Sequence, residues 1–484
     1  MFRTHDVRDL HGGAPRFRAR TRPVKCDPDL IYPEALLCRS RVCRGEMGPT
    51  QKTPTLFRGG IVVAKLAING GPKVVNEPLG KSMYSQWPEV GEPEEKALLD
   101  VLHRRKWWRG AYGEKDLDES YVVRFENAFA EYQDARYAVA CTNGTQAIEL
   151  ALKAIGIQPG DEVICPCSTF VASATAVVLV NAIPIIVDVE PATYQIDPDA
   201  IEAAITPRTV GILPVHNGGY PADMDRILSI AEKHGLFVIE DCAHAHGSQW
   251  RGKGCGSWGD FGTFSLQAGK TLTCGEGGIV LCNDEELAAK AYSFHHIGRF
   301  PGRPFYEFHL VASNLRMTEF QGAVAWAQTL RLPEQTQRRE RNAKYLEDGL
   351  RAIPGVAPLE RREEVTRWGF YYYLFKFISE QFDGLSRSRF VEAMAAEGVG
   401  IGSGHMHPIQ NNPLFTKRNF GPVCYPEGIE PPDYGSIQTP VAQRALEEEA
   451  CSLTHSIFAD DDTRSMDLIL EAIQKIRDNV DELR

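Results

Sequence analysis

The chain has 484 residues, long for one compact core and suited to two domains or more. Hydrophobic residues make up 43% and charged residues 24%, the balance of a globular protein, while a net charge of −11 argues against a general nucleic-acid binder. That charge leaves room for a local basic pocket that takes a small phosphate. Twelve cysteines are scattered, and the tightest pair, Cys165 and Cys167, has no second pair at zinc-site spacing. They read as reduced thiols of a cytoplasmic protein, with no metal site.

Residues 1–62 differ from the rest. "RFRARTRPVKC" and "CRSRVCRGEMG" are Arg-rich without a hydrophobic period, and residues 1–50 carry ten Lys/Arg against six Asp/Glu. A transit peptide, a disordered tail and a start codon assigned too far upstream all fit this composition. "VAKLAINGGPKVV" from Val63 reads like a natural beginning, followed by an arm and helices over 63–119.

From about residue 120 helix and strand patterns alternate. The predicted strands are 137–142, 162–166, 183–189, 209–216, 236–241, 262–266 and 277–282, rich in Val and Ile and almost continuously apolar, as strands covered on both faces are. The helices "TQAIELALKAIG" and "DMDRILSIAEKHG" each run into a glycine stop. The apolar run 170–189 is broken by Asn181 and Pro184, and reads as a buried helix then a buried strand rather than a membrane span. The alternation predicts an α/β domain over 120–325 with a mainly parallel seven-stranded sheet. Its last strands lack a full helix between them, so part of the sheet is open to antiparallel pairing. Beyond lie a long polar helix from Leu332, the aromatic run "WGFYYYLFKF", a Pro/Asn-rich loop and a terminal helix. These predict a smaller α+β domain over 326–484.

Ligands of open α/β sheets collect at the carboxyl ends of the strands. After the first strand, Asn143, Gly144 and Thr145 lead into a helix whose N-terminus suits an anion, although alone this is an ordinary N-cap. After the second, Phe170 could stack on a flat ring, or be a plain core residue. Asp241 ends an apolar strand, where an ionised carboxylate needs a cationic partner, and His244 follows on the same edge. In "FSLQAGKTLTCGEGG", Lys270 is fenced by glycines, with Ser265 five residues earlier. A lysine amine, an acid, a flat stacker and a phosphate cradle together fit pyridoxal 5′-phosphate.

These motifs, with "DVEPATYQIDP", "VIEDCAHAHGS" and "NLRMTEFQGA", resemble the DegT/StrS family of pyridoxal-phosphate-dependent sugar aminotransferases, which have the aspartate aminotransferase type I fold. The resemblance runs from about Leu66 to the C-terminus. It implies that Lys270 forms the Schiff base with the cofactor and carries protons, and that Asp241 holds the ring nitrogen protonated. Phe170 would stack on the ring, Gly144, Thr145 and Ser265 would bind the phosphate, and Asn314 would reach the phosphate of a neighbouring subunit in a homodimer. His244 stands where many relatives have glutamine at the cofactor's 3′-oxygen, and "NGGYPADMD" departs from the usual "LYGQPADMD", placing that loop as a candidate substrate wall. The implied reaction is ping-pong transfer from glutamate or glutamine to a keto-sugar or cyclitol ketone such as an inosose. Trp107, Trp108, Arg109 and Arg299 are candidate substrate contacts, with surface or packing roles equally open. The alternatives are a sugar dehydratase, against which Lys270 speaks because dehydrating members carry histidine there, an aminohydroxybenzoate-synthase-like enzyme, and a non-catalytic cofactor-binding regulator.

Overall fold

The computed structural model describes residues 65–80, 87–304 and 306–484, all within the unit Val62–Arg484. The readings of residues 1–62 as an extension lie outside them. Among the described residues thirteen strands follow in chain order. They are β1 (Tyr137–Cys141), β2 (Glu162–Pro166), β3 (Ile183–Val187), β4 (Thr209–Ile212), β5 (Phe237–Asp241), β6 (Gln249–Trp250), β7 (Lys253–Gly254), β8 (Phe261–Ser265), β9 (Gly278–Cys282), β10 (Val356–Pro358), β11 (Val365–Arg367), β12 (Tyr372–Phe377) and β13 (Ala450–Thr454).

All seven predicted strands join one sheet, ordered β3-β2-β4-β5-β8-β9-β1. Pairing is parallel from β3 to β8, and β9 runs antiparallel to both β8 and β1. The twelve residues between β8 and β9 are too few for a helical crossover, so the chain turns back and Lys270 sits in that turn. β2, β8 and β9 are buried at every position, which is why their sequences show no alternation. Run 170–189 forms the helix Ala172–Leu179 and then β3, as the break at Asn181 and Pro184 predicts. Among the described residues no helix is long and apolar enough to cross a membrane.

Local signals fix the helices that matter to the site. The Asn143 side chain accepts from Gln146 N–H at 2.9 Å and starts the helix Gly144–Ile155. A capping box, Thr318 with Gln321, starts a 34-residue helix, Glu319–Ala352, earlier than the polar pattern from Leu332 suggests. The first half of this helix carries buried alanines and Gly322 rather than large apolar residues, which hides its period. It packs on the helix Tyr121–Tyr132 and reaches β10. A second sheet, β10-β12-β13, is antiparallel, and a third small one joins β11, β6 and β7. The run "WGFYYYLFKF" supplies β12, whose aromatic side chains fill the core that joins the two larger sheets.

Within β5 a buried carboxyl group serves the fold. Glu240 is fully buried and accepts from the backbone N–H of Gly256, Trp258 and Gly259 at 2.7–2.8 Å and from His216 Nε2 at 3.0 Å. The other nitrogen of His216 accepts from Ala222 N–H at 2.9 Å. Cys242 approaches this pair closely enough to suggest a metal site, but the imidazole and the carboxylate already have their partners, and the group is a structural clamp. Glu240→Ala would orphan three backbone donors and the imidazole. Its expected cost is about 3–5 kcal/mol, measured by urea denaturation of the purified protein.

Candidate active site

The strand register assembles the site. Cys141 of β1 and Ser265 of β8 both pair with Gly278 of β9, and Asp241 of β5 pairs with Thr263 of β8. The carboxyl ends of β1, β5 and β8 therefore meet at one sheet edge, around a cavity of about 870 Å³. Its walls hold Gly144, Thr145, Phe170, Asp241, His244, Ser265 and Lys270, seven of the eight cofactor residues expected from the sequence. Asn314, the eighth, lies exposed elsewhere, its backbone bridged to His296.

Among the described residues, Lys270 is the only cation on the cavity wall. Its amine lies over the Tyr371 ring, 4.3 Å from the centroid. Part of the residue reaches solvent through the cavity mouth, but enclosure of the amine lowers its pKa to about 8, with Asp241 pulling in the opposite direction. Asp241 is no helix N-cap. Its Oδ2 accepts from Ser173 Oγ at 2.6 Å and its Oδ1 from Ala243 N–H at 3.0 Å, and Thr169 Oγ1 lies 2.7 Å behind Ser173. Each carboxylate oxygen keeps a lone pair for a further donor.

The helix Gly144–Ile155 points its first turn at the cavity. Asn143 uses its side chain and carbonyl on the N–H groups of Gln146 and Ala147, which leaves those of Gly144 and Thr145 outside the intrahelical ladder. A Cβ on Gly144 would sit 2.6 Å from Ser265 Cβ, so the helix start and the Ser265 hydroxyl share one cradle. Two donors, a hydroxyl and a helix N-terminus suit a phosphate. The glycines after Lys270 have other work. Gly275 takes φ +90° in the return turn, and a Cβ on Gly278 would meet the Asn143 carbonyl oxygen at 2.4 Å. The second of these lets β9 lie against the helix start.

Phe170 is not a core residue: it is 56% exposed at the cavity, edge-on to His405 with ring centroids 5.9 Å apart. His244 is buried and stacks on two rings, Tyr371 at 4.1 Å and His405 at 5.1 Å, both nearly parallel to it. Burial, helped by Lys270 and His405, pushes its pKa well below the usual imidazole value, so it is neutral at pH 7. Gly218 N–H lies 3.4 Å from its Nδ1, which places the proton on Nε2, and Nε2 has no partner among the described residues. The "NGG" loop is thus not a substrate wall. Asn217, Gly218 and Gly219 are buried behind His244, against Tyr372 and the His244 carbonyl. The two departures from the family pattern, at His244 and at this loop, touch each other.

The expected substrate residues do not reach the cavity of their own chain. Arg109 pairs with buried Glu126 at 3.0 Å and lies over Tyr292. Trp108 is 37% exposed beside Arg316, and Arg299 lies over Phe308. Conversely, Tyr371, His405, Ser173, Ala243 and Gln267 line the site without having been singled out. The position of Ser173 one helical turn after Thr169 was readable in "STFVAS". Nothing in the local sequence of Tyr371 or His405 points to the site.

An α/β sheet whose strand ends hold an enclosed lysine, a carboxylate and a phosphate-type cradle is a frame that an aminotransferase can use. A model of the DegT/DnrJ/EryC1/StrS aminotransferase family matches residues 91–426, and the chain belongs to that family. It is 38% identical over 435 residues to L-glutamine:scyllo-inosose aminotransferase of Streptomyces griseus, covering 87% of this chain and 99% of that one. It is 36% identical over 434 residues to L-glutamine:2-deoxy-scyllo-inosose aminotransferase of Micromonospora echinospora, covering 87% and 99%. Among solved structures, 3-amino-5-hydroxybenzoic acid (AHBA) synthase superposes with a TM-score of 0.69 at 34% identity, over 82% of this chain and 98% of its own.

Proposed function

We propose that this aminotransferase uses pyridoxal 5′-phosphate to move the amino group of glutamine to an inosose-type cyclitol ketone, in the cytoplasm and as a homodimer. The observation that carries the reading is the enclosed Lys270 amine in one cavity with Asp241 and the Gly144–Thr145–Ser265 cradle. Glutamine and inosose are favoured because relatives so named match 87% of this chain and nearly all of their own length. Glutamate stays the second candidate donor. 3-Amino-5-hydroxybenzoate synthase of Amycolatopsis mediterranei is 39% identical but covers 64% of this chain.

The residues present fit the cofactor. When bound, it supplies an aldehyde for the lysine and a ring that takes up electrons from the substrate's Cα. Lys270 Nζ would hold the aldehyde carbon and, once displaced by the amine of the substrate, carry the proton off Cα. Asp241, fixed by Ser173 and Ala243, would keep a proton on the ring nitrogen. Phe170 and Ala243 would flank the ring, and Gly144, Thr145 and Ser265 would take the phosphate. His244 Nε2–H, buried without a partner, would donate to the 3′-oxygen. We propose that Asn314, exposed and outside its own cavity, serves the cavity of a second copy, and that Trp108, Arg109 and Arg299 contact substrate from that side. The division into domains 120–325 and 326–484 is part of the same proposal, the second lending Tyr371 and His405 to the site.

Capture of the aldehyde needs the unprotonated amine. An ordinary lysine is almost wholly protonated near neutrality, whereas one with a pKa of about 8 loses its proton as the pH rises through 8. The rate at which apoprotein acquires the visible absorbance of the lysine-linked cofactor should therefore rise about tenfold between about pH 7 and pH 9, then level off. Adding L-glutamine should bleach that band. No band, or a band indifferent to both amino donors, would refute the reading.

A further inference from the structure

His405 lines the cavity with a ring that packing holds but no hydrogen bond engages. Asn143 and Gln146 bond each other, and Thr169, Ser173 and Asp241 form one chain. Neither ring nitrogen of His405 has a hydrogen-bond partner among the described residues. Yet the residue is firmly placed. Its N–H donates to the Tyr372 hydroxyl at 3.2 Å, and Tyr372 in turn bonds Asn217. The preceding Gly404 N–H donates to Ser452 Oγ at 2.9 Å, and Gly402 and Ser452 exchange backbone bonds at 3.0 and 2.9 Å. The ring face lies on His244 and its edge meets Phe170.

We infer that His405 reads the hydroxyl groups of the acceptor, as a specificity-determining residue for the polyol ketone that the amino donor does not need. The inference rests on the reading given under Proposed function. A neutral imidazole offers one donor and one acceptor, and neighbouring hydroxyls of a polyol offer both in return. Burial and the nearby Lys270 lower the His405 pKa to about 4, which keeps the ring uncharged through the working range. An uncharged ring has little to offer the carboxylate of an amino acid, which seeks a cation.

The ping-pong cycle separates the two substrates. In purified holoenzyme, bleaching of the visible band by L-glutamine reports the donor half, and its return on adding scyllo-inosose reports the acceptor half. His405→Ala should lower kcat/KM of the acceptor half at least about tenfold more than that of the donor half, whose remaining rate also controls for folding. His405→Gln, which again offers a donor and an acceptor, should recover part of the loss. Equal losses in both halves, no loss in either, or no rescue by glutamine would overturn the inference while wild type still aminates inososes. A wild type that aminates no inosose would overturn the reading it rests on, and this inference with it.

Discussion

Lys270→Ala is expected to lower turnover more than about 10³-fold, since it removes both the covalent partner and the proton carrier of the reaction. Among the described residues the amine is the only cation lining the cavity, so none of them can take its place. Its lowered pKa means that the fold bears the protonated amine at a cost, and the alanine variant should unfold no more easily than wild type at pH 7. The sign follows from the shift. The cost of burying the charged form is fully present below about pH 8, and deleting the amine removes it. Spectra and turnover, followed with and without added methylamine, separate chemistry from structure. A small amine should restore some rate to a folded variant, and retention of a tenth of wild-type activity would contradict the assignment.

Asp241→Asn is the second large effect. Asparagine can keep accepting from Ala243 N–H, and can bond Ser173 only by donating to its hydroxyl, but it cannot balance a positive ring nitrogen. A loss of about 10²–10³-fold in kcat is expected, with cofactor still bound through Lys270. A further signature follows from the electrostatics. Asp241 raises the pKa of Lys270 against the effect of enclosure. Neutralising it should move the pH midpoint of cofactor capture below about 8. An unmoved midpoint together with normal kcat would leave Asp241 a purely structural residue.

The gathering of the strand-end residues around one cavity was legible because it is local. Each strand is a short apolar run, and the cavity residues sit at its last position, as Asp241 and Ser265 do, or within four residues of its end, as Asn143–Thr145 and Phe170 do. Strand-end placement alone carries such residues to one edge, and the β8–β9 turn delivers Lys270 without any long-range packing. The rest of the cavity wall was less so. Tyr371 and His405 come more than 100 residues after β8 and arrive through the second sheet, whose position depends on aromatic packing around β12 rather than on a motif. The "NGG" loop failed as a substrate wall for a related reason. Its sequence signals an unusual backbone, but only the fold reveals that Gly218 backs onto His244 and Tyr372. Trp108, Arg109 and Arg299 stood out by residue type, and residue type does not distinguish a ligand contact from an arginine paired with buried Glu126 or lying on an aromatic ring.

The central claim is the transfer itself, from glutamine to an inosose through the Lys270 site. The most direct measurement incubates the holoenzyme with L-glutamine labelled with nitrogen-15 at the α-amino group and with scyllo-inosose, and follows the label by mass spectrometry. The account predicts a labelled aminocyclitol formed in step with the oxo acid of glutamine, and none with Lys270→Ala. Label that stays in glutamine while the protein carries its full cofactor band would contradict it.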